Sequence, residues 1–149
     1  MMRLLRKLRK IFGRSPFEDQ ILFKDNLVIT MRDENGKIVK QWEERGNTWV
    51  TYGKEQIRDA LCDGGFSKIS YMYCYATTNA SEQSTTNSKP NEYTAQFVAT
   101  WPASPEITGI NKFSIRQVSG GNDLAQISVS SFDKPDGISL EVTWKTIIS

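Results

Sequence analysis

The chain has 149 residues, 38% hydrophobic and 24% charged, with a formal net charge of +2, two cysteines and no histidine. That length suits one domain that buries a core without metal or disulfide support, and no apolar run approaches the ~20 residues of a membrane-crossing helix. Without histidine the commonest general base, the Ser-His and Cys-His nucleophile arrangements and imidazole metal sites are excluded, and Cys62 and Cys74 alone make neither a zinc site nor a disulfide framework.

Charge is unevenly placed. Residues 1–16 hold Arg3, Arg6, Lys7, Arg9, Lys10 and Arg14 and no acid, so an arm of +6 precedes a body of net −4. Within the arm Leu4, Leu5, Leu8, Ile11 and Phe12 recur at i, i+1, i+4, i+7 and i+8, which predicts one apolar stripe on a basic amphipathic helix. Gly13 and Pro16 end it. Charge interrupts the apolar residues too often for a secretory signal. Such an arm has three uses. It docks its stripe on a neighbouring protein subunit, lies on an anionic membrane surface, or binds nucleic-acid phosphate. Five large apolar residues exceed what phosphate binding needs, so docking on protein is the leading reading, carried by residues 3–12.

Residues 17–149 read as one β-domain. Leu27, Ile29 and Met31 alternate toward Asn35-Gly36, a strong hairpin signal, and Ile38, Lys40 and Trp42 return with Val39 on the opposite face. Arg45-Gly46-Asn47 marks a turn before a third strand at Thr48-Trp49-Val50. A helix follows over residues 53–62, with Thr51 as its cap, Glu55 in its first turn, and Ile57, Ala60 and Leu61 on one face. Gly64-Gly65 stops it, and a helix this short needs a sheet to dock on. From residue 67 to 76, Ile69, Tyr71, Tyr73 and Tyr75 share one face and alternate with Met72, Cys74 and Ala76, as in a central strand. Residues 77–91 are rich in Ser, Thr and Asn and read as a long polar loop facing solvent or a partner. Strand signals resume at Tyr93, Ala95, Phe97, Ala99 and Trp101, stop at Pro102 and Pro105, and return at Phe113 and Ile115. Gly120-Gly121 turns the chain into a strand from Leu124 to Phe132. Asp133-Lys134-Pro135-Asp136-Gly137 is a turn, and Ile138, Leu140, Val142, Trp144 and Ile148 share the face of a last strand that Thr146 interrupts. Seven or eight short strands with one short internal helix predict a mainly β protein, an antiparallel β-sandwich or jelly-roll-like barrel.

No catalytic constellation emerges, and no cofactor or metal site. The tyrosine row suits base or sugar stacking, but the strand interleaves no cation, so packing is the simpler account. Glu43-Glu44 and the Asp133/Asp136 pair lie where turns and edges want charge. The glycine pairs lack phosphate-loop spacing. Cys62 and Cys74 read as reduced, partly buried thiols. Trp42, Trp49 and Trp101, where exposed, are the interface anchors to expect.

Two blocks carry a resemblance. The first is Gly46-Asn47-Thr48-Trp49-Val50-Thr51-Tyr52-Gly53, with the helix and the strand at Ile69 behind it. The second is Asp123-Leu124-Ala125-Gln126-Ile127, then Phe132-Asp133-Lys134, then Leu140-Glu141-Val142-Thr143-Trp144. Over residues 46–149 this order resembles small structural proteins of tailed bacteriophages; the arm and the first hairpin lie outside it. The resemblance implies a non-enzymatic virion component of head, neck or tail, made in the host bacterial cytoplasm. Its partners would be other virion proteins and further copies of itself in a homo-oligomer.

Overall fold

A computed structural model describes residues 23–46 and 48–148. The expected arm helix lies outside the described residues. The described residues form ten strands and one helix: β1 (Phe23–Arg32), β2 (Ile38–Gly46), β3 (Thr48–Trp49), α1 (Thr51–Asp63), β4 (Tyr71–Tyr75), β5 (Ser81–Ser84), β6 (Thr86–Asn91), β7 (Thr94–Trp101), β8 (Ile107–Arg116), β9 (Ala125–Lys134) and β10 (Ser139–Ile148). Two five-stranded sheets result, sheet I in the order β2-β1-β10-β7-β6 and sheet II in the order β3-β9-β8-β4-β5. Every pairing is antiparallel.

Alternation builds the core. Leu27, Ile29 and Met31 of β1, Phe97, Ala99 and Trp101 of β7, and Leu140, Val142 and Trp144 of β10 are buried on one face of sheet I. Met72, Cys74, Phe113, Ile115, Ala125 and Ile127 of sheet II join them in one cluster. The sheets therefore pack face to face, with the Trp101 and Phe113 rings 5.7 Å apart across the gap. A tryptophan closes each open side. Trp42 of β2 meets Phe132 of β9 edge-on at 4.8 Å, and Trp101 Nε1 donates to the Ser81 carbonyl of β5 at 3.3 Å.

The interruption at Thr146 has a cause. Asp25 of β1 is buried, and the Thr146 hydroxyl donates to its Oδ1 at 2.6 Å, as does Trp144 Nε1 at 3.1 Å. Trp49 Nε1 donates to Oδ2 at 3.0 Å. A buried carboxylate needs such partners, so a polar residue stands in the apolar series. Burial pushes the Asp25 carboxyl above the usual range despite these three bonds.

Four expectations are corrected. Residues 77–91 are not a loop: they contain β5 and β6. Every residue of β6 is exposed, so it has no apolar face to betray it, and Pro90 is tolerated because β6 is an edge strand. Thr51 does not cap α1; it is the first helical residue, Val50 precedes it without a side-chain cap, and Glu55 falls beyond the first turn, which holds no acid. Gly64 ends α1 as expected, its N–H bonding the Ala60 carbonyl at 3.1 Å. The helix does not lie flat on a sheet. Its one buried residue is Gly53, where a Cβ would run into the Leu124 carbonyl, and Leu61 is 76% exposed. Lastly, Lys134 is not a solvated turn residue. Pairing between β8 and β9 slips twice, between Ile110 and Lys112 and between Ile107 and Ile110, and across these irregularities the inward positions of β9 pass from Ala125 and Ile127 to Phe132 and Lys134. Lys134 is then fully buried, its amine donating to the Ala103 and Ile138 carbonyls at 3.1 and 2.9 Å.

Candidate functional site

Two surfaces stand out. The first covers the outer face of sheet II. Antiparallel register sets Arg116 of β8 opposite Tyr71 of β4, and Lys112 opposite Tyr75. The cations that β4 lacks in its own sequence are thus supplied by the next strand. The Arg116 guanidinium lies 4.2 Å from the Tyr73 ring centre and the Lys112 amine 4.2 Å from that of Tyr75. The Tyr73 and Tyr75 rings meet edge-on at 4.7 Å.

Asp123 is the hub of this face. Its Oδ1 accepts from Arg116 Nε and from the Ser114 hydroxyl, both at 2.7 Å. Its Oδ2 accepts from Gln126 Nε2 at 2.8 Å and from the Tyr75 hydroxyl. Arg116 also reaches Glu82 of β5 at 3.4 Å and the Tyr75 oxygen at 3.3 Å. Glu82 in turn accepts the Gly120 N–H at 3.0 Å. Burial alone would raise the Asp123 carboxyl, but donors from Tyr75, Ser114, Arg116 and Gln126 outweigh it and hold the group below the usual carboxylate range. Glu82 is likewise lowered, burial being outweighed by bonds from Ser119, Gly120 and Arg116. Burial and the bond to Asp123 push the Tyr75 hydroxyl up. Four strands are cross-braced here, β9 through Gln126, and each charge is answered from within. The arrangement is chemically closed: the ring faces carry cations and the carboxylates are occupied.

The second surface is the opposite in kind. A groove of about 340 Å³ opens where β1 begins and β10 ends. α1 supplies one wall with Ile57, Ala60 and Leu61, and Phe23, Phe97 and Ile148 are among the residues facing them. Among the described residues, Thr146 is the sole polar one of its lining. A second groove of about 370 Å³ adjoins it, sharing Phe66, Ile69, Ala95 and Phe97, and is rimmed by Lys68 and Lys89. The groove exists because α1 is fastened at its root. Gly53 packs on the Leu124 carbonyl, which also accepts the Val50 N–H at 3.1 Å, and the Tyr52 hydroxyl bonds Gln117 at 3.3 Å. The rest of the helix stands off the sheet.

The sequence-derived anchors fare differently. Trp101 is 1% exposed and sits in the core, so it is not a surface anchor of this fold. Trp49 is half-buried, its ring 5.1 Å from that of Phe23 and tilted 40° to it, is bonded to Asp25, and lines the groove. Trp42 is half-buried on Phe132 with the Lys40 amine 4.6 Å from its ring. Arg3, Leu4, Leu5, Arg6, Lys7, Leu8, Arg9, Lys10, Ile11 and Phe12 lie outside the described residues. Cys62 is an exposed free thiol and Cys74 a buried one, which burial pushes up to about 12. Among the described residues, no group of three His, Cys, Asp or Glu is placed to hold a metal ion. Sequence reasoning missed Arg116, Asp123 and the groove, because each depends on pairing between distant strands.

These features define a mainly β protein of two antiparallel sheets and one helix, with a braced polar face and an open apolar groove. No family model, curated protein or solved structure matches the chain.

Proposed function

We propose that the protein is a non-enzymatic structural subunit that works by contact with other proteins, and that it serves as a virion component of a tailed phage. The observation that carries the contact reading is a contrast in how side chains are used. The buried or half-buried ionisable groups Asp25, Arg116, Asp123 and Lys134 all brace the fold, while an apolar groove beside α1 is lined by side chains that the described residues leave uncovered. Unfilled apolar surface marks a place where another chain binds. The two-sheet frame suits such work because it is rigid and braced at both sides. Its wiring is jelly-roll-like in one respect: the last strand sits beside the first, and the ninth beside the third. In an assembly, the basic arm of residues 1–16 anchors the subunit to a neighbour. The virion assignment itself rests on the sequence resemblance over residues 46–149.

The test is direct. Mass spectrometry of gradient-purified particles from the encoding genome should find this chain in stoichiometric copies, and deleting residues 1–16 should abolish incorporation. Its absence from the particles would refute the virion reading. Incorporation of the truncated chain would refute the anchoring role. The six cations of the arm favour one rival, a monomeric module that binds nucleic acid or an anionic membrane. In that case binding to duplex DNA or anionic vesicles should weaken steeply from low to physiological salt, and no particle association should be seen.

A further inference from the structure

We infer that the groove between α1 and sheet I is the seat of the chain's own residues 4–12, whose apolar stripe it covers in the free subunit. Three observations lead there. The groove lies at the place where the arm joins the body: Phe23, the first residue of β1, is part of its lining. The ten residues between Phe12 and Phe23 span up to about 33–36 Å when extended, ample to turn back into a groove that starts at Phe23. The surfaces also match. The described lining of the groove is apolar apart from Thr146, and Leu4, Leu5, Leu8, Ile11 and Phe12 make a stripe of the same character.

Helix physics adds the need. A nine-residue helix is marginal on its own in water and forms when its apolar side is covered. Seated in the groove, it covers Leu61 and Ile148, which the body leaves exposed, and turns its four cations, Arg6, Lys7, Arg9 and Lys10, to solvent. Charge selects the position. The adjoining groove is rimmed by Lys68 and Lys89 and repels a basic segment, so the helix takes the seat beside α1. Tethering selects the molecule. A short linker presents the arm to its own groove at an effective concentration on the order of millimolar, so at micromolar protein the internal contact outcompetes that with a second copy. The inference does not depend on the virion reading. Where the subunit does assemble, the internal contact is exchanged for its equivalent on a neighbour.

Cys62 makes the test possible. It is an exposed thiol on α1, whereas Cys74 is buried, so a nitroxide reagent labels the native full-length chain at Cys62. In isotope-labelled, spin-labelled protein, the resonances of Leu4, Leu8 and Phe12 should be broadened. Leu8→Glu should return those of Leu4 and Phe12, and, separately, the groove-filling Ala60→Trp should return all three, to the intensity of the reduced control. Unchanged resonances from Leu140 and Val142 would show that the sandwich is intact in each variant. Absence of broadening in the wild-type chain overturns the inference. So does broadening seen when spin label and isotope are on different molecules, because the occupant is then a second copy.

Discussion

The outer face of sheet II and the groove beside α1 lie on one small molecule and handle side chains in opposite ways. On the sheet face, charge is abundant and fully answered: Arg116 is held by Asp123, Glu82 and Tyr75 and packs on Tyr73. In the groove none of the described lining residues is charged, and large apolar groups such as Leu61 and Ile148 face solvent. The first region is finished by the fold; the second awaits something. The difference teaches that a conspicuous cluster of ionisable groups is not by itself a site. What matters is whether its bonding capacity is already used.

The comparison breaks most sharply at Arg116. Arg116→Met removes a largely buried cation from Asp123 and Glu82 and should cost about 3 kcal/mol, read as a lower urea midpoint at neutral pH. Gly53→Ala tests the joint between the two regions. Its Cβ meets the Leu124 carbonyl, so the root of α1 must shift, at about 1–3 kcal/mol by thermal melting, and the groove should widen or close with it.

Acid sharpens the contrast further. Asp123 and Glu82 titrate below their ordinary values in the folded state. Their contribution is therefore complete above the unfolded carboxylate range and is lost as pH falls through the lowered values. Urea midpoints should fall between about pH 5 and pH 2, and less so in Arg116→Met. Asp25 acts with the opposite sign: its folded value is raised, so protonation there favours the native state as pH drops. The smallest effect belongs to the groove. Leu61→Ser, at a position 76% exposed, should change the stability of the body by no more than about 0.5 kcal/mol. A thiol titration completes the picture: Cys62 should react in the native protein, and Cys74 after unfolding.

Alternation made β1, β7 and β10 legible, since Leu27, Phe97 and Val142 each mark a buried face with period two. Where one face is not buried, that signal vanishes, which is why β6 reads as polar loop. Lys134 is hidden for another reason: two irregularities in the β8–β9 pairing shift the phase, and nothing local in Asp133-Lys134-Pro135 announces them. The Tyr75–Arg116–Asp123 network needs residues more than forty positions apart and a known register. The groove needs more still, because it is defined by a helix that does not touch down along its length. Whether Leu4 to Phe12 fill it is a question that single-sequence patterns raise but only tertiary geometry makes specific.

The place of β10 in sheet I has a consequence for how this polypeptide is born. It lies between β1 and β7, paired with β1 from Phe23↔Ile148 to Arg32↔Ser139 and with β7 from Leu140↔Trp101 to Ile147↔Thr94. While the ribosome is still making residues 139–148, the emerging chain holds two half-sheets with no strand to join them. Closure waits for the tenth strand to leave the exit tunnel, and until then the facing edges of β1 and β7 have no β10 to pair with.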